Sequence, residues 1–432
     1  MTGPASLPEP SRESGPRHDV LIVGGGLVGA SLAIALERVG VDVALVEASP
    51  VGALPAVFDQ RNLSFAEATV NALTALGVMR KLRMPTAPIE RIHVSRRGDF
   101  GRSVLHASAH GRSEFGQVVV ARDFGEALEA RLSELRGLVR YRPMKFLGLA
   151  GHGLAGQSDG YRAIRVEGDG GERILHARLL VGADGTRSRV RDSLGIGAEQ
   201  RDYRQTLFVT RLRAERGPDG TAYERLGEHG PTALLPRGDH HYGLVHAVAR
   251  NDAAAVAALD EATFLQHAQE AFGWRVGRFL SCGERSAYPA VRVLAERTTA
   301  ERAVLVGNAA QTIHPIGAQG FNLGLRDALT LAERISEAVA ADADADCGDA
   351  GLLGRYVASR REDRDATLRF SDGLARISAN PGGLLRPLRS LGLAALARSP
   401  SLQASMVGGA LGYRGNVPAL CRQPLPDAGA GA

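Results

Sequence analysis

The 432-residue chain is poor in cysteine, with three, and poor in aromatic residues, at 5% with one tryptophan. Cys282, Cys347 and Cys421 lie far apart, with no CxxC pair and no metal-ligand spacing. This argues against a disulfide scaffold or a zinc module and fits a reducing, cytoplasmic compartment. Residues 1–17 are rich in Pro, Ser and Gly and lack the apolar core of a signal peptide, so a disordered tail is expected there. One apolar run, residues 20–36, approaches membrane-spanning length. Its glycines interrupt it where a strand would meet a helix, so no transmembrane segment is expected. Acidic excess is absent too: the net charge is +5. The arginines behind it are scattered rather than clustered, which reads as a basic solvated surface, and no nucleic-acid partner is expected.

What is present is glycine, 53 residues of it, within a chain long enough for two domains and a helical tail. "DVLIVGGGLVGASLAIALERVGVDVALVEA", residues 19–48, sets an apolar strand at 20–23 before Gly24-x-Gly26-x-x-Gly29. The first glycine allows a tight turn, the second lets backbone approach a pyrophosphate, and the third lets helix pack on strand. A helix is expected over 30–39 with Gly40 as its stop, then a strand over 41–46. Glu47 follows about 20 residues past the glycines, where a carboxylate accepts ribose hydroxyls and disfavours a 2′-phosphate. Strand, turn, helix, strand and acid in this order predict dinucleotide binding, without choosing between NAD and FAD.

Two further strand ends carry glycine-rich turns. In "LLVGADGTRSRVR", residues 179–191, Asp184 precedes Gly185 and three arginines, and Asp184 is expected to accept a bond from Arg191 and fix the loop beside a phosphate or ribose. In "AVLVGNAAQTIHPIGAQGFNLGLRDALTLAERI", residues 303–335, Asn308 sits at a strand end and a glycine-rich turn feeds a second helix N-terminus. A helix N-terminus attracts negative charge. One FAD accounts for both sites, with its pyrophosphate at the first helix and its ring at the second.

These motifs resemble those of the group A flavoprotein monooxygenases, and more closely the ubiquinone-biosynthesis hydroxylase family. "FDQRNLSF" (58–65), "FGQVVVARDFGEAL" (115–128), "GNAAQTIHPIGAQGFNLGLRDA" (307–328) and "RYVASRREDRDATLRFSDGL" (355–374) all look like that family. "AYERLGEHGPTALLP" (222–236) and "AFGWRVGRFLSCGERSAYP" (271–289) look most like its 2-polyprenyl-6-methoxyphenol hydroxylases. The resemblance implies a fold of the α/β class. A Rossmann-like FAD-binding domain would span 18–85, 115–195 and 295–340. A mixed-sheet substrate domain would span 86–114 and 196–294, and a C-terminal helical region 341–432. It implies FAD as cofactor, NADH or NADPH as reductant, and hydroxylation of a polyprenylated phenol by dioxygen through a flavin hydroperoxide. Other ubiquinone-biosynthesis proteins are implied as partners, and peripheral contact with the inner membrane follows from a polyprenyl substrate.

The resemblance also implies residue roles. Glu47 would bind the adenosine ribose. Arg61 and Arg122 would lie near the phosphate and ribityl portion, and Asn308 would contact the ribityl-phosphate region. Pro315 would set its carbonyl near the reactive edge of the flavin, and Gly320, Phe321 and Asn322 would hold the pyrimidine edge. His314 invites a proton-transfer reading, although such a histidine more often fixes its loop. Leu234, Leu235, Pro236 and Tyr288 are candidates for the substrate wall, with simple core packing as the competing reading. Departures from the family's pattern are Asn308 for Asp, Ser64-Phe65 for Ala-Leu, Gly317-Ala318 for Ala-Gly, and His246 for a Trp. The last two are expected to bear on the ring pocket or substrate fit.

Metal binding is not expected. Adjacent histidines in "DHHYG" (239–243) point to opposite faces of a strand. "DADADCGD" (342–349) lacks the glycine and the closing Glu of a calcium loop. The leucine- and arginine-bearing segment 381–413 suits packing on the flavin domain or contact with a membrane surface. Competing functional readings are a reductase or halogenase on the same scaffold and a non-catalytic FAD-binding subunit. A lone Trp274 argues against a halogenase, and a plain NAD dehydrogenase would leave the third motif unexplained.

Overall fold

The computed structural model describes residues 15–55, 59–99, 101–150, 160–379, 390, 392, 395 and 398–422. The first strand, Arg17–Val23, pairs in parallel with Val43–Val46 on one side and with Gly171–Gly182 on the other. The order across this sheet is Thr299–Ala300, Ala303–Leu305, Gly171–Gly182, Arg17–Val23, Val43–Val46, Leu138–Tyr141. Its apolar strands read as unbroken runs because both faces are covered. Val20 and Ile22 face the helices Leu27–Leu36, Ala121–Leu132 and Gln319–Ala341, packing with Leu32, Phe124 and Leu325. Leu21 and Val23 face the other way, onto Phe146, Ile164 and Leu175 of an antiparallel extension. This is the expected Rossmann-like layer. The first helix opens at Leu27 rather than residue 30, runs to Leu36, and continues as a tighter turn to Val39 before Gly40 at φ +81°. Arg17, expected in the tail, already belongs to the first strand. Residues 1–14 of that tail lie outside the described residues.

The second sheet has nine strands, ordered Gln311–Thr312, Ser286–Ala295, Ala198–Ala214, Tyr242–Ala249, Gly230–Pro236, Thr221–Gly227, Arg91–Arg96, Arg102–His106, with Phe279–Cys282 paired beside Ala198–Ala214. It is mixed, because Thr221–Gly227 runs parallel to Arg91–Arg96 while the other pairs are antiparallel. One face is covered by the helix Glu261–Phe272, whose Phe264 and Phe272 pack on Phe208, Leu234 and Leu244. The opposite face looks toward the first domain. The short strand Gln311–Thr312 joins this second sheet, so the third motif bridges the two domains.

The C-terminal part is helical, led by Ala350–Ala379. In the segment 381–413, most of residues 381–397 lie outside the described residues. Farther on, Val407 and Leu411 are buried against Ile89, Leu105 and Phe115. Among the described residues no helix is long and apolar enough to cross a membrane, and no group of His, Cys, Asp and Glu is arranged to hold a metal ion.

Candidate active site

The three motifs mesh through glycines. Gly24 adopts φ +106°, and a Cβ there would stand 2.6 Å from the carbonyl oxygen of Ala183. A Cβ on Gly29 would stand 1.9 Å from the Gly24 carbonyl oxygen, so the helix can approach the turn only without a side chain. A Cβ on Gly324 would come within 2.9 Å of Gly307 Cα, which locks the helix Gln319–Ala341 onto the third strand end. Backbone bonds join the strand ends directly, from Ala183 N–H to the Val23 carbonyl at 2.9 Å and from Val306 N–H to the Gly182 carbonyl at 3.0 Å.

Asp184 does not bond the Arg191 side chain, contrary to expectation. It accepts from Ser188 Oγ at 2.5 Å and from Val190 N–H at 3.1 Å, closing the start of the short helix Arg189–Ser193. Burial pushes its carboxyl upward, against those hydrogen bonds. Arg191 instead donates to the carbonyls of Thr186 at 3.1 Å and Ala309 at 3.3 Å, tying the second motif to the third. Its fixed guanidinium fork suits two carbonyls at once.

The helix N-termini at Gly26 and at Ala318 carry no side-chain caps. The first-turn N–H groups of a helix have no intrahelical partner, so each such end accepts an anion or a ligand carbonyl. Gly317 and Ala318 both take left-handed backbone, at φ +72° and +51°. Ala318 thus holds a conformation in which a Cβ is strained, and this is where the family's pattern has glycine. Glu47 accepts from Gly25 N–H and Ser49 N–H, each at 2.7 Å, which fixes its carboxylate beside the first turn.

A single cavity of about 860 Å³ runs past both helix ends, from Gly24, Gly26 and Glu47 to Asn308, Pro315 and Gly320. That volume is at the upper end for small-molecule sites. The cavity continues onto the inner face of the second sheet, where Ile92, Ala222, Ala233, Leu235 and Val245 line it with Leu105 and Phe115. The glycine turn, two uncapped helix ends and a fixed carboxylate fit an elongated dinucleotide of FAD type. The apolar far end leaves room for a second, greasy molecule.

The turn at the second helix is braced from behind. Arg326 donates to both Asp363 oxygens at 2.7 and 3.1 Å, and Arg360 donates to Asp327 and Asp363, each at 2.7 Å. All four side chains are buried. Gln311 donates to Asp327 and accepts from Arg364, so "GLRDA" and "RREDRDA" form one charged lattice between two helices. Phe65 stacks edge-on to Phe124 at 4.9 Å and lies 5.4 Å from Phe321, filling the other side.

Gly24, Gly26, Glu47, Arg61, Asp184, Asn308, Pro315, Gly320, Phe321 and Asn322 all line the cavity, but several in ways the sequence did not indicate. The Asn322 side chain is fully engaged, accepting from Ala66 N–H at 2.9 Å and donating to the carbonyls of Ser64 and Ala318. It staples strand to helix, so its own amide is not left to face a ligand there. The Pro315 carbonyl accepts from Ala318 N–H at 2.8 Å. Gly29 lies behind the turn rather than in the lining. Arg61 is clamped by Asp59 at 2.7 Å and lies over the Tyr288 ring at 4.3 Å. Burial pushes the Asp59 carboxyl up, but the bonds from Arg61 and Tyr288 outweigh it and hold the group below its usual value.

Other candidates fall elsewhere. Arg122 is exposed and pairs with Glu126 at 3.8 Å, outside the lining. Tyr288 donates to Asp59 and acts on the cavity only through Arg61. Leu234 and Pro236 point away from the cavity, because alternation along Gly230–Pro236 gives Ala233 and Leu235 to the inner face and packs Leu234 under the helix. His314 is no acid or base here: buried outside the lining, it accepts from Ile316 N–H at Nδ1 and faces Gln205 Oε1 from Nε2 at 3.0 Å. Burial lowers its pKa to about 4, so it stays neutral and fixes its loop. His246 likewise lies on the outer face, between Thr232 and His267, and does not touch the ring pocket. Sequence reading named Leu235, which does line the cavity, but missed Glu224, Ala222, Ala233 and Val245 beside it. The signal was there in "TAYERLG", where alternation puts Glu224 on the same face as Ala222 and Leu226.

A βαβ nucleotide unit, a second open helix end and an apolar annex in one cavity define the class of FAD-dependent oxidoreductases. Comparison with known proteins agrees. The FAD binding domain family matches residues 17–371, and the chain belongs to that family, in a branch of flavin monooxygenases related to the ubiquinone hydroxylases. It is 34% identical over 397 residues to ubiquinone hydroxylase UbiL of Rhodospirillum rubrum, covering 91% of this chain and 89% of that protein. It is 28% identical over 405 residues to 3-demethoxyubiquinol 3-hydroxylase of Escherichia coli, covering 91% and 98%. The p-nitrophenol 4-monooxygenase PnpA of Pseudomonas putida shares the fold, with TM-score 0.71, 16% identity, and coverage of 93% of this chain and 99% of that one.

Proposed function

We propose that the chain hydroxylates the aromatic ring of a polyprenylated phenol in ubiquinone biosynthesis, with 2-polyprenyl-6-methoxyphenol as substrate. FAD is the cofactor, NADH or NADPH the reductant and dioxygen the oxidant. The observation that carries this reading is the continuity of the cavity, polar at the glycine turns and apolar over the second sheet. The Gly24–Gly26 turn would hold the pyrophosphate and Glu47 the ribose. The helix end at Ala318 would meet the pyrimidine edge of the ring with backbone N–H groups. The reduced flavin, when bound, activates dioxygen and supplies an electrophilic oxygen, and an electron-rich phenol is a suitable acceptor. The protein's part is to orient the ring, exclude water with Phe115, Leu235 and Leu411, and stabilise negative charge at the open helix end. A polyprenyl tail is insoluble in water, so the reading includes peripheral contact with the inner membrane.

A second reading within the same pathway is hydroxylation at another ring position, supported by relatives whose names specify ubiquinone hydroxylases and a 3-hydroxylase. The test is NAD(P)H oxidation by the FAD-loaded protein, with and without a short-tailed 2-prenyl-6-methoxyphenol, with the product followed by mass. Stimulated oxidation with a gain of one oxygen is expected, and the product's NMR spectrum separates the two positions. Bound flavin with neither stimulation nor product would instead favour a non-catalytic FAD-binding subunit.

A further inference from the structure

One carboxyl interrupts the apolar end of the cavity. Glu224 lies on the strand Thr221–Gly227 and faces inward beside Ala222, level with Ala233 and Val245 on the next two strands and with Val94 on the strand behind. No hydrogen bond or ion pair engages its side chain within the described residues. It is enclosed by protein yet lines the cavity, which is why it keeps some exposure while lying beneath the surface. An unpaired carboxyl in such a place costs stability unless a ligand completes it.

The charged groups around it are occupied elsewhere. Arg96, on the same face of the adjacent strand, pairs with Asp99 at 3.6 Å. Asp372, on the helix Ala350–Ala379, bonds Arg201 and Tyr203. His93, Tyr223 and Arg225 alternate onto the outer face. The strand Gly230–Pro236 offers only Pro231, Ala233 and Leu235. Burial alone raises the Glu224 pKa to about 7, with no neighbouring charge contributing.

We propose that Glu224 is the acceptor for the substrate's phenolic hydroxyl, and so fixes which edge of the aromatic ring faces the cofactor end of the cavity. The inference rests on the phenol-hydroxylase reading above. A carboxylate is an acceptor only, and a phenol O–H is the donor it lacks. A charge-assisted bond of this kind is stronger than a neutral one, and it presses electron density into the ring that the electrophilic oxygen attacks. The surrounding apolar wall takes the methoxy group and the start of the tail, and rejects ligands that offer no donor, as buried polar groups do in other specific sites.

The experiment compares FAD-loaded wild type, Glu224→Gln and Glu224→Leu. Each is titrated with a short-tailed 2-prenyl-6-methoxyphenol and with its O-methyl ether, reading Kd from perturbation of the flavin spectrum. Wild type is expected to prefer the phenol by about tenfold or more, the order of one charge-assisted hydrogen bond. Glu224→Leu should bring the ratio near one. Glu224→Gln should keep part of the preference but lose the change in phenol affinity that wild type shows through about pH 7. Flavin content reports folding of both variants. If Glu224→Leu fails to hold flavin, the pH response of Glu224→Gln decides. Wild-type turnover with an undiminished preference in Glu224→Leu, or an unaltered pH response in Glu224→Gln, overturns this inference alone. A wild type that neither binds nor oxidises the phenol overturns it together with the functional reading.

Discussion

The two ends of the cavity are built by different means. At the cofactor end, backbone does most of the work. Turns at Gly24 and Gly317, two open helix ends, and strand ends held together by main-chain bonds shape the surface. Side chains there, such as Asn322, Arg191 and Asp184, mostly hold backbone in place. At the substrate end the backbone is an ordinary pleated sheet, and the surface consists of whichever side chains alternate inward. A backbone-built site tolerates few changes because its glycines are held by close approach, as at Gly24, Gly29 and Gly324, or by left-handed backbone, as at Gly317. A side-chain-built site can be re-cut one residue at a time. The same division separates binding of a shared cofactor from choice of substrate.

The sharpest way to break that comparison is to remove the brace behind the cofactor end. Asp363→Ala leaves Arg326 and Arg360 buried without their shared partner. A loss of about 3–5 kcal/mol is expected from such a change, read as a large drop in Tm with shedding of flavin. Gly29→Ala comes next, because its methyl would meet the Gly24 carbonyl. Flavin affinity should weaken by about tenfold or more, measured by retention on dialysis, with a smaller effect on the apoprotein's melting. A variant that keeps full flavin would show the turn to be softer than described.

At the other end, Ala233→Leu should fill part of the apolar annex. Flavin retention is expected to be unchanged, while phenol-stimulated NAD(P)H oxidation falls by about tenfold or more. Loss of flavin in that variant would erase the distinction between the two ends. Ala318→Gly relaxes a left-handed residue at the second helix end and should add about 1 kcal/mol of stability, read by denaturant unfolding.

The last of these effects is a pH dependence. The Glu224 pKa is raised to about 7 in the folded chain, so the ionised form is disfavoured there. The unfolded chain releases that proton near its ordinary value, about 4.3, so folding stability falls as pH rises from there toward 7 and stays reduced above it. Glu224→Gln removes the penalty. Its Tm should equal that of wild type at low pH and exceed it by on the order of a few °C above pH 7.

The same contrast governs what the sequence could reveal. The βαβ unit was legible because Gly24, Gly26, Gly29 and Glu47 are required at fixed spacings by geometry. The mixed second sheet was expected from the family resemblance, without its register. The partners of Asp184 and Arg191 were not legible: Arg191 joins the carbonyl of Thr186, five residues before it, to that of Ala309, 118 residues after it, and the two meet only after three strands align. Leu234, Pro236 and Tyr288 went to the wrong face or the wrong partner because apolar character alone does not say which side of a strand is the core. Sheet register decides that, and it gave the wall to Ala233 and Leu235 and turned the Glu224 carboxyl inward beside them. His314 drew both a proton-transfer and a loop-fixing reading, and the structure favours the second, since its two ring nitrogens are spent on Ile316 and Gln205.

The most direct test of the central claim, that one cavity holds FAD at its backbone-built end and a phenol at its apolar end, is a titration of the FAD-loaded protein with a short-tailed 2-prenyl-6-methoxyphenol, following the flavin's visible absorbance. The account predicts a saturable spectral change that Ala233→Leu weakens while leaving flavin content unchanged. An absorbance spectrum indifferent to the phenol, in a protein that retains its flavin, would contradict it.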